Sequence, residues 1–229
     1  MSSTDFELAG ATLTALPSGA LWWQDARALV VADMHLGRSE RIARRGGTLL
    51  PPYETTETLL RLASEISETE PRTVICLGDS FDDPHSAQAL AETDRGFLTS
   101  LMAGRRWIWV AGNHDPVPPD LGGTPMDELS RGPLTFRHIA EPRAQAGEVS
   151  GHYHPKHGIQ TRAGHISRPC FVHDGRRLIL PAFGAYTGGM KCNDDALRQL
   201  LSDDAICILT GSRTRSVPLT TASPNSARA

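Results

Sequence analysis

The chain has 229 residues, a formal net charge of −3, a pI near 6.3 and 39% hydrophobic residues. That length suits one sizeable core, and the charge balance excludes a global basic field, so any contact with nucleic acid must come from a local patch. No apolar run reaches membrane-spanning length, and the start of the chain has neither a basic segment nor an apolar stretch of the kind that directs export, so a cytoplasmic location is expected.

In chain order, the first 25 or so residues predict two short strands about a turn at Pro17-Ser18-Gly19. The apolar run Ala28–Ala32 reads as a buried strand and ends in Asp33-Met34-His35. A basic segment, Arg38 to Gly47, follows and contains Arg41, Arg44 and Arg45. Pro51-Pro52 introduces a helix from about Tyr53 to Thr69, with Leu59, Leu62, Ala63 and Ile66 on one face. The run Thr73–Leu77 is a second buried strand and ends in Gly78-Asp79. A helix over Ser86–Met102 should bury Leu90, Ala91, Phe97, Leu98 and Leu101. Trp107–Ala111 is a third strand, ending in Gly112-Asn113-His114-Asp115. Strand and helix alternate over residues 28–111, which indicates crossovers in a largely parallel layer.

Beyond Asp115 the pattern changes. Pro116 to Gly132 is rich in proline and glycine and reads as a long surface loop. Short strands then dominate, at Leu134–Ile139, Val149–Ser150, Pro169–His173 and Arg177–Leu180, the last two joined by the hairpin signal Asp174-Gly175. A short helix over Asp195–Leu201 precedes a final strand pair around Ile206–Leu209 and Arg215–Leu219. One α/β domain is expected over residues 1–220, with two sheets packed face to face and a disordered tail at 221–229. Of the four cysteines, Cys76 and Cys207 read as small core residues. Cys170 and Cys192 can approach one another without a disulfide being expected.

The polar groups at the strand ends are carboxylates, imidazoles and a carboxamide, a donor set suited to hard-to-borderline divalent metals. Phosphodiesters resist hydrolysis because their charge repels nucleophiles and the alkoxide leaves poorly. Two cations about 3.5–4 Å apart answer both problems by clamping the phosphate and lowering the pKa of a water between them. Asp79 is the natural bridging carboxylate. Asp33 with His35, and His152 with His154, are each two apart on what reads as extended chain, so Asp33 and His35 can bind one metal and His152 and His154 can each face the cluster. Asn113 supplies a neutral oxygen. His114 is placed to protonate a leaving oxygen, with Asp115 orienting its imidazole.

In this order the motifs Asp33-x-His35, Gly78-Asp79, Gly112-Asn113-His114-Asp115 and Gly151-His152-x-His154 resemble those of the calcineurin-like metallophosphoesterases, over nearly the whole chain. The resemblance implies a four-layer α/β/β/α sandwich of two mixed β-sheets flanked by helices. It implies one metal held by Asp33, His35, Asp79 and His154, and a second by Asp79, Asn113, His152 and a lone histidine, for which His138 lies between the third and fourth motifs. A narrower resemblance rests on Ala43-Arg-Arg-Gly46, Leu49-Leu-Pro-Pro-Tyr53, Gly78-Asp-Ser-Phe81, Trp107 to Pro116, Arg168-Pro-Cys-Phe171 and Leu180 to Gly189. These segments are similar to the bacterial ligase-associated DNA-damage-response endonucleases. That implies a manganese-dependent phosphodiesterase (zinc or iron also suit the donors) acting on single-stranded or damaged DNA, with a DNA ligase and a helicase as partners. A phosphodiesterase or phosphatase of small nucleotides is the alternative. Relatives commonly carry histidine three residues after the bridging aspartate; here Asp82 and then Asp83 stand there. Arg41, Arg44 and Arg45 are candidate contacts to DNA phosphates, and Tyr186 is a candidate for stacking on a base. His157, His165 and His173 read as surface residues.

Overall fold

The computed structural model describes residues 2–44, 46, 53–116, 120–161 and 164–219. Arg45, Pro51-Pro52 and the tail expected at 221–229 lie outside the described residues. The strands are β1 (Thr4–Leu8), β2 (Ala11–Ala15), β3 (Leu21–Trp23), β4 (Ala28–Val31), β5 (Thr73–Leu77), β6 (Arg106–Val110), β7 (Thr124–Met126), β8 (Glu128–Arg131), β9 (Leu134–Arg137), β10 (Glu148–Ser150), β11 (Pro155–Thr161), β12 (Gly164–His173), β13 (Arg177–Ile179), β14 (Met190–Lys191), β15 (Ile206–Leu209) and β16 (Arg215–Pro218). The helices are α1 (Arg38–Arg44), α2 (Glu54–Thr69), α3 (Ser86–Ala89), α4 (Glu92–Met102) and α5 (Asp195–Arg198).

Strands β1 to β7 form one sheet in sequential order, antiparallel up to β4 and parallel from β4 to β7. The second sheet runs β14-β11-β12-β13-β10-β9-β8, with β15 pairing to β12 and β16 to β15. Both sheets are mixed, as expected.

The apolar runs of β4, β5 and β6 lack polar alternation because both faces are covered. Ala28, Val30, Ile75, Leu77, Ile108 and Val110 point into a core between the sheets, where they meet Leu134, Phe136, Val149, Phe171 and Leu178. Leu29, Val31, Val74, Cys76, Trp107 and Trp109 point the other way, onto Leu59, Leu62 and Ile66 of α2 and Leu98, Leu101 and Met102 of α4. A third cluster, including Cys170, Val172, Cys207 and Leu209, lies on the second sheet, with Leu201 just beyond α5 packed against it. The layers are therefore helices, sheet, sheet and a thin cover with one short helix.

Several sequence expectations need correction. The N-terminal region holds three strands, since Leu21–Trp23 pairs with both neighbours. The expected helix over Ser86–Met102 is broken at Leu90 and Ala91, whose ψ angles of 135° and 142° are extended; Ala91 is exposed and Leu90 only half-buried. The expected loop Pro116–Gly132 contains β7 and β8. Pro125 is tolerated in β7 because that strand is the sheet's edge.

Candidate metal centre

The chemistry-bearing motifs follow the carboxyl ends of parallel strands, where ligand sites of α/β sheets gather. Asp33, Asp79 and Asn113 come after β4, β5 and β6; His138 and His152 come after β9 and β10, which are also parallel. The loops after β4 and β5 are laced together: Asp33 N–H donates to Gly78 O at 3.2 Å, His35 N–H to Asp79 O at 2.9 Å, and Leu36 N–H to Ser80 O at 2.9 Å. From the second sheet, Gly151 N–H donates to His138 O at 3.0 Å.

Backbone conformation marks the centre. Nine non-glycine residues among those described have positive φ, and five of them are Asp33 (53°), His35 (47°), Asp79 (46°), His152 (70°) and His154 (46°). The convergence expected from alternation along an extended chain is thus achieved differently, by left-handed turns at both members of each pair. Such turns cost an L-residue roughly 1–2 kcal/mol each, and they persist where surrounding hydrogen bonds over-determine them.

Two glycines give those turns room. A Cβ on Gly112 would stand 2.1 Å from Asp79 N and 2.3 Å from Asp79 Oδ1, and one on Gly151 would stand 2.5 Å from Asp33 Oδ2. Gly112→Ala is therefore expected to displace Asp79 and lower hydrolysis by about 10²-fold or more, as misplacement of about 1 Å does in a preorganised site. Activity within a few-fold of wild type in a steady-state assay would contradict this geometry.

The side chains converge as three sets that can hold a metal, Asp33 with His35 and His154, Asp79 with His138 and His152, and His35 with Asp82 and His114; the first two are made of the ligands expected from the sequence. In the first, His154 Nε2 is 3.1 Å from Asp33 Oδ1 and 3.4 Å from His35 Nε2. In the second, His138 Nε2 is 3.4 Å from Asp79 Oδ2, 2.9 Å from Asn113 Oδ1 and 3.3 Å from His152 Nδ1. His138 Nδ1 lies 2.9 Å from Leu77 O, to which it can donate, leaving Nε2 as a lone pair turned inward. Asp33 Oδ1 is buried and accepts no hydrogen bond. Lone pairs of carboxylate, carboxamide and imidazole thus face one another at contact distance, and only cations can reconcile them. The donor set fits a pair of divalent metals.

The titration behaviour has the same cause. Burial acts to raise the Asp79 carboxyl, but His138, the His114 N–H and His35 hold it down to about 2. Burial opposes a charge on His138, yet Asp79 and Asp33 raise it above the ordinary imidazole value. Burial and the neighbouring His138 charge lower His152. A metal must displace the proton that Asp79 stabilises on His138, so Mn2+ affinity is expected to rise with pH, continuing above the ordinary imidazole range. A Mn2+ dissociation constant that stays flat between about pH 6 and 8 would refute that competition.

Asp82, read from the sequence as a departure from relatives, is fully buried and sits 2.9 Å from His35 Nδ1. It also accepts from Arg38 at 3.2 Å and from Arg41. Burial opposes ionisation of Asp82, but His35, Arg41 and Arg38 keep its carboxyl below the usual value. This carboxylate fixes the imidazole ring that faces the first metal set, a role the sequence did not disclose. Arg44 pairs with Asp83 at 3.0 Å, so the described arginines of the basic segment anchor α1 to the loop after β5.

Asp115 does not orient His114. Its Oδ2 accepts from Ser80 N–H at 2.7 Å and Phe81 N–H at 3.1 Å, bracing the loop that carries Asp79. Burial, together with the Asp79 charge, lifts its carboxyl to about 7 against those N–H donors. The His114 ring instead has Nδ1 at 2.9 Å from Asp82 O and Nε2 at 4.0 Å from Asp79 Oδ2, on the open side of the centre with 38% of its side chain exposed. Asn113 is exposed on the same side. Tyr186 is 48% exposed, in the small-residue loop whose Gly184 N–H donates to Asp33 O at 3.0 Å. Among the described residues no helix is long and apolar enough to cross a membrane.

No curated protein matched the chain in sequence. Among solved structures, the crystal structure of a Pseudomonas putida nuclease, MPE, is similar at a TM-score of 0.76 and 27% identity, covering 94% of this chain and all of that one. Comparison with protein families matches residues 26–211 to the calcineurin-like phosphoesterases. That span runs from the first metal-set strand to beyond the last of the converging ligands, and the chain belongs to the calcineurin-like phosphoesterase family.

Proposed function

We propose that the chain is a two-metal phosphodiesterase that cuts DNA internally. The observation that carries the hydrolytic part is the convergence of Asp33, His35, Asp79, Asn113, His138, His152 and His154 on two adjoining sets with an unsatisfied buried carboxylate oxygen. Asp33, His35, Asp79 and His154 would hold one divalent ion, and Asp79, Asn113, His138 and His152 the other; Mn2+ is the proposed metal, with zinc or iron compatible with the donors. When bound, the pair would neutralise the phosphate and make water nucleophilic near neutral pH.

The chain's own groups supply the rest. Asp79 fixes both ligand sets to one carboxylate. Asp82 and Leu77 O orient His35 and His138. His114, its Nδ1 tied to Asp82 O, turns Nε2 toward the centre and would give a proton to the departing oxygen. His114→Ala should slow cleavage of DNA, with its poor alkoxide leaving group, by about 10²-fold, and that of a nitrophenyl diester far less. Equal losses on both substrates would remove His114 from leaving-group protonation.

A DNA substrate is supported by the likeness to a nuclease and by the open side of the centre, where Asn113 and His114 reach solvent. Arg44, 41% exposed beside Asp83, and Arg45 are proposed to meet flanking phosphates, and Tyr186 to stack on a base. A role in DNA repair beside a ligase and a helicase belongs to the same reading. The test is circular single-stranded DNA with Mn2+, run beside Asn113→Ala. A circle has no ends, so linear product that disappears in the variant supports an endonuclease. An intact circle with a metal-loaded enzyme that still cleaves a nitrophenyl diester would overturn DNA in favour of small diesters.

A further inference from the structure

The outer side of the second sheet holds a group of donors that the hydrolytic centre does not use. Cys170 and Cys207 lie on adjacent strands, β12 and β15, where Cys207 is opposite Val172 and Cys170 opposite Leu209. Phe171 and Ile208 turn into the core between the sheets, so the alternation of both strands sends Cys170 and Cys207 to the other face. Cys192, just past β14, is held there by its N–H donating to Lys156 O at 3.0 Å, beside His157 of β11. His157, Cys192 and Cys207 offer ligand atoms within 4.8 Å of one another, and Cys170 Sγ lies 3.4 Å from Cys192 Sγ.

We propose that Cys170, Cys192, Cys207 and His157 bind one zinc ion, in a site that shares no residue with the hydrolytic centre. Three sulfurs and one imidazole make a donor set typical of structural zinc. With sulfur about 2.3 Å from the metal, a tetrahedron has edges of roughly 3.7 Å, close to the 3.4 Å between the Cys170 and Cys192 sulfurs. The three cysteines are free and buried at 0%, 1% and 0% exposure, in an apolar cluster with Val172, Ala205, Leu209 and Leu219. A disulfide would leave a third thiol and the imidazole without a role. His157 is half-buried.

The site ties together chain segments that border the hydrolytic centre. β11 begins at Pro155, directly after His154, and Cys192 follows the loop whose Gly184 contacts Asp33. Zinc would thus clip the rim that carries His154, as a structural ion rather than a reacting one.

Cobalt substitution tests this on the full chain with its thiols reduced. Co2+ should produce a sulfur-to-cobalt charge-transfer absorption that saturates at one ion per chain and is displaced by Zn2+. The hydrolytic centre has no sulfur donor and cannot give that signal. Cys192→Ser leaves two sulfurs and should weaken both the band at saturation and the binding of the ion. His157→Ala should keep a thiolate band but bind at least about tenfold more weakly. The wild-type titration stands even if a variant misfolds. Absence of the band with all thiols counted as reduced, or a Cys170–Cys192 disulfide trapped by alkylation on isolation, would overturn the proposal.

Discussion

Asp79→Asn should fold like the wild type and hydrolyse phosphodiesters about 10³-fold more slowly or worse. Asparagine tolerates the left-handed backbone that Asp79 adopts at φ 46°. Its side-chain oxygen can also keep the 2.8 Å hydrogen bond from His114 N–H. What disappears is the negative charge proposed to be shared between the two ligand sets. A metal contributes several kcal/mol to stabilising charge in the transition state, and each 1.4 kcal/mol is tenfold in rate, so losing the shared anion should remove roughly three powers of ten. Steady-state kinetics on a diester, beside a thermal melt, reads both halves. An unchanged melt with activity within tenfold of wild type would mean that Asp79 does not join the two sets.

The second large effect falls on Asp82, which lies beside His35 and outside the two proposed ligand sets. Asp82→Ala should weaken Mn2+ binding and slow hydrolysis by about 10–100-fold, as loss of the partner that orients a ligand imidazole does. It should also destabilise the fold by about 2 kcal/mol, since Arg38 and Arg41 lose a buried partner but can still reach water; their side chains are 24% and 17% exposed. Asp82→Asn keeps an acceptor for His35 and should recover most of the metal affinity and less of the stability. If Asp82→Ala lowers the melting temperature yet leaves the Mn2+ dissociation constant unchanged, Asp82 is only a structural anchor for α1.

The contrast between these two aspartates shows what a sequence discloses. Asp79 is legible because it ends an unbroken apolar run. The runs of β4, β5 and β6 are unbroken because both faces of those strands are covered, and strand ends are where polar groups become available. Asp82 carries no such signal, because its partners His35, Arg38 and Arg41 lie over 40 residues away and meet it only when two loops hydrogen-bond along their backbones. Asp33 and His35 come together through left-handed turns rather than strand alternation, and left-handed φ at non-glycine residues leaves no trace in composition. Thr124–Met126 was hidden by its proline, which an edge strand accepts. The break at Leu90-Ala91 falls in a segment of good helix formers, so local propensity gives no sign of it. His157 was read as a surface residue because the cysteines beside it come from three distant segments.

The central claim is that two metals act together on one phosphodiester, and a Mn2+ titration of metal-stripped protein tests it most directly. Hydrolysis of a diester is followed as Mn2+ is added, with bound metal counted in parallel. Activity should climb as the second equivalent binds and saturate at two per chain. Full activity at one bound Mn2+, or none with two bound, would contradict it.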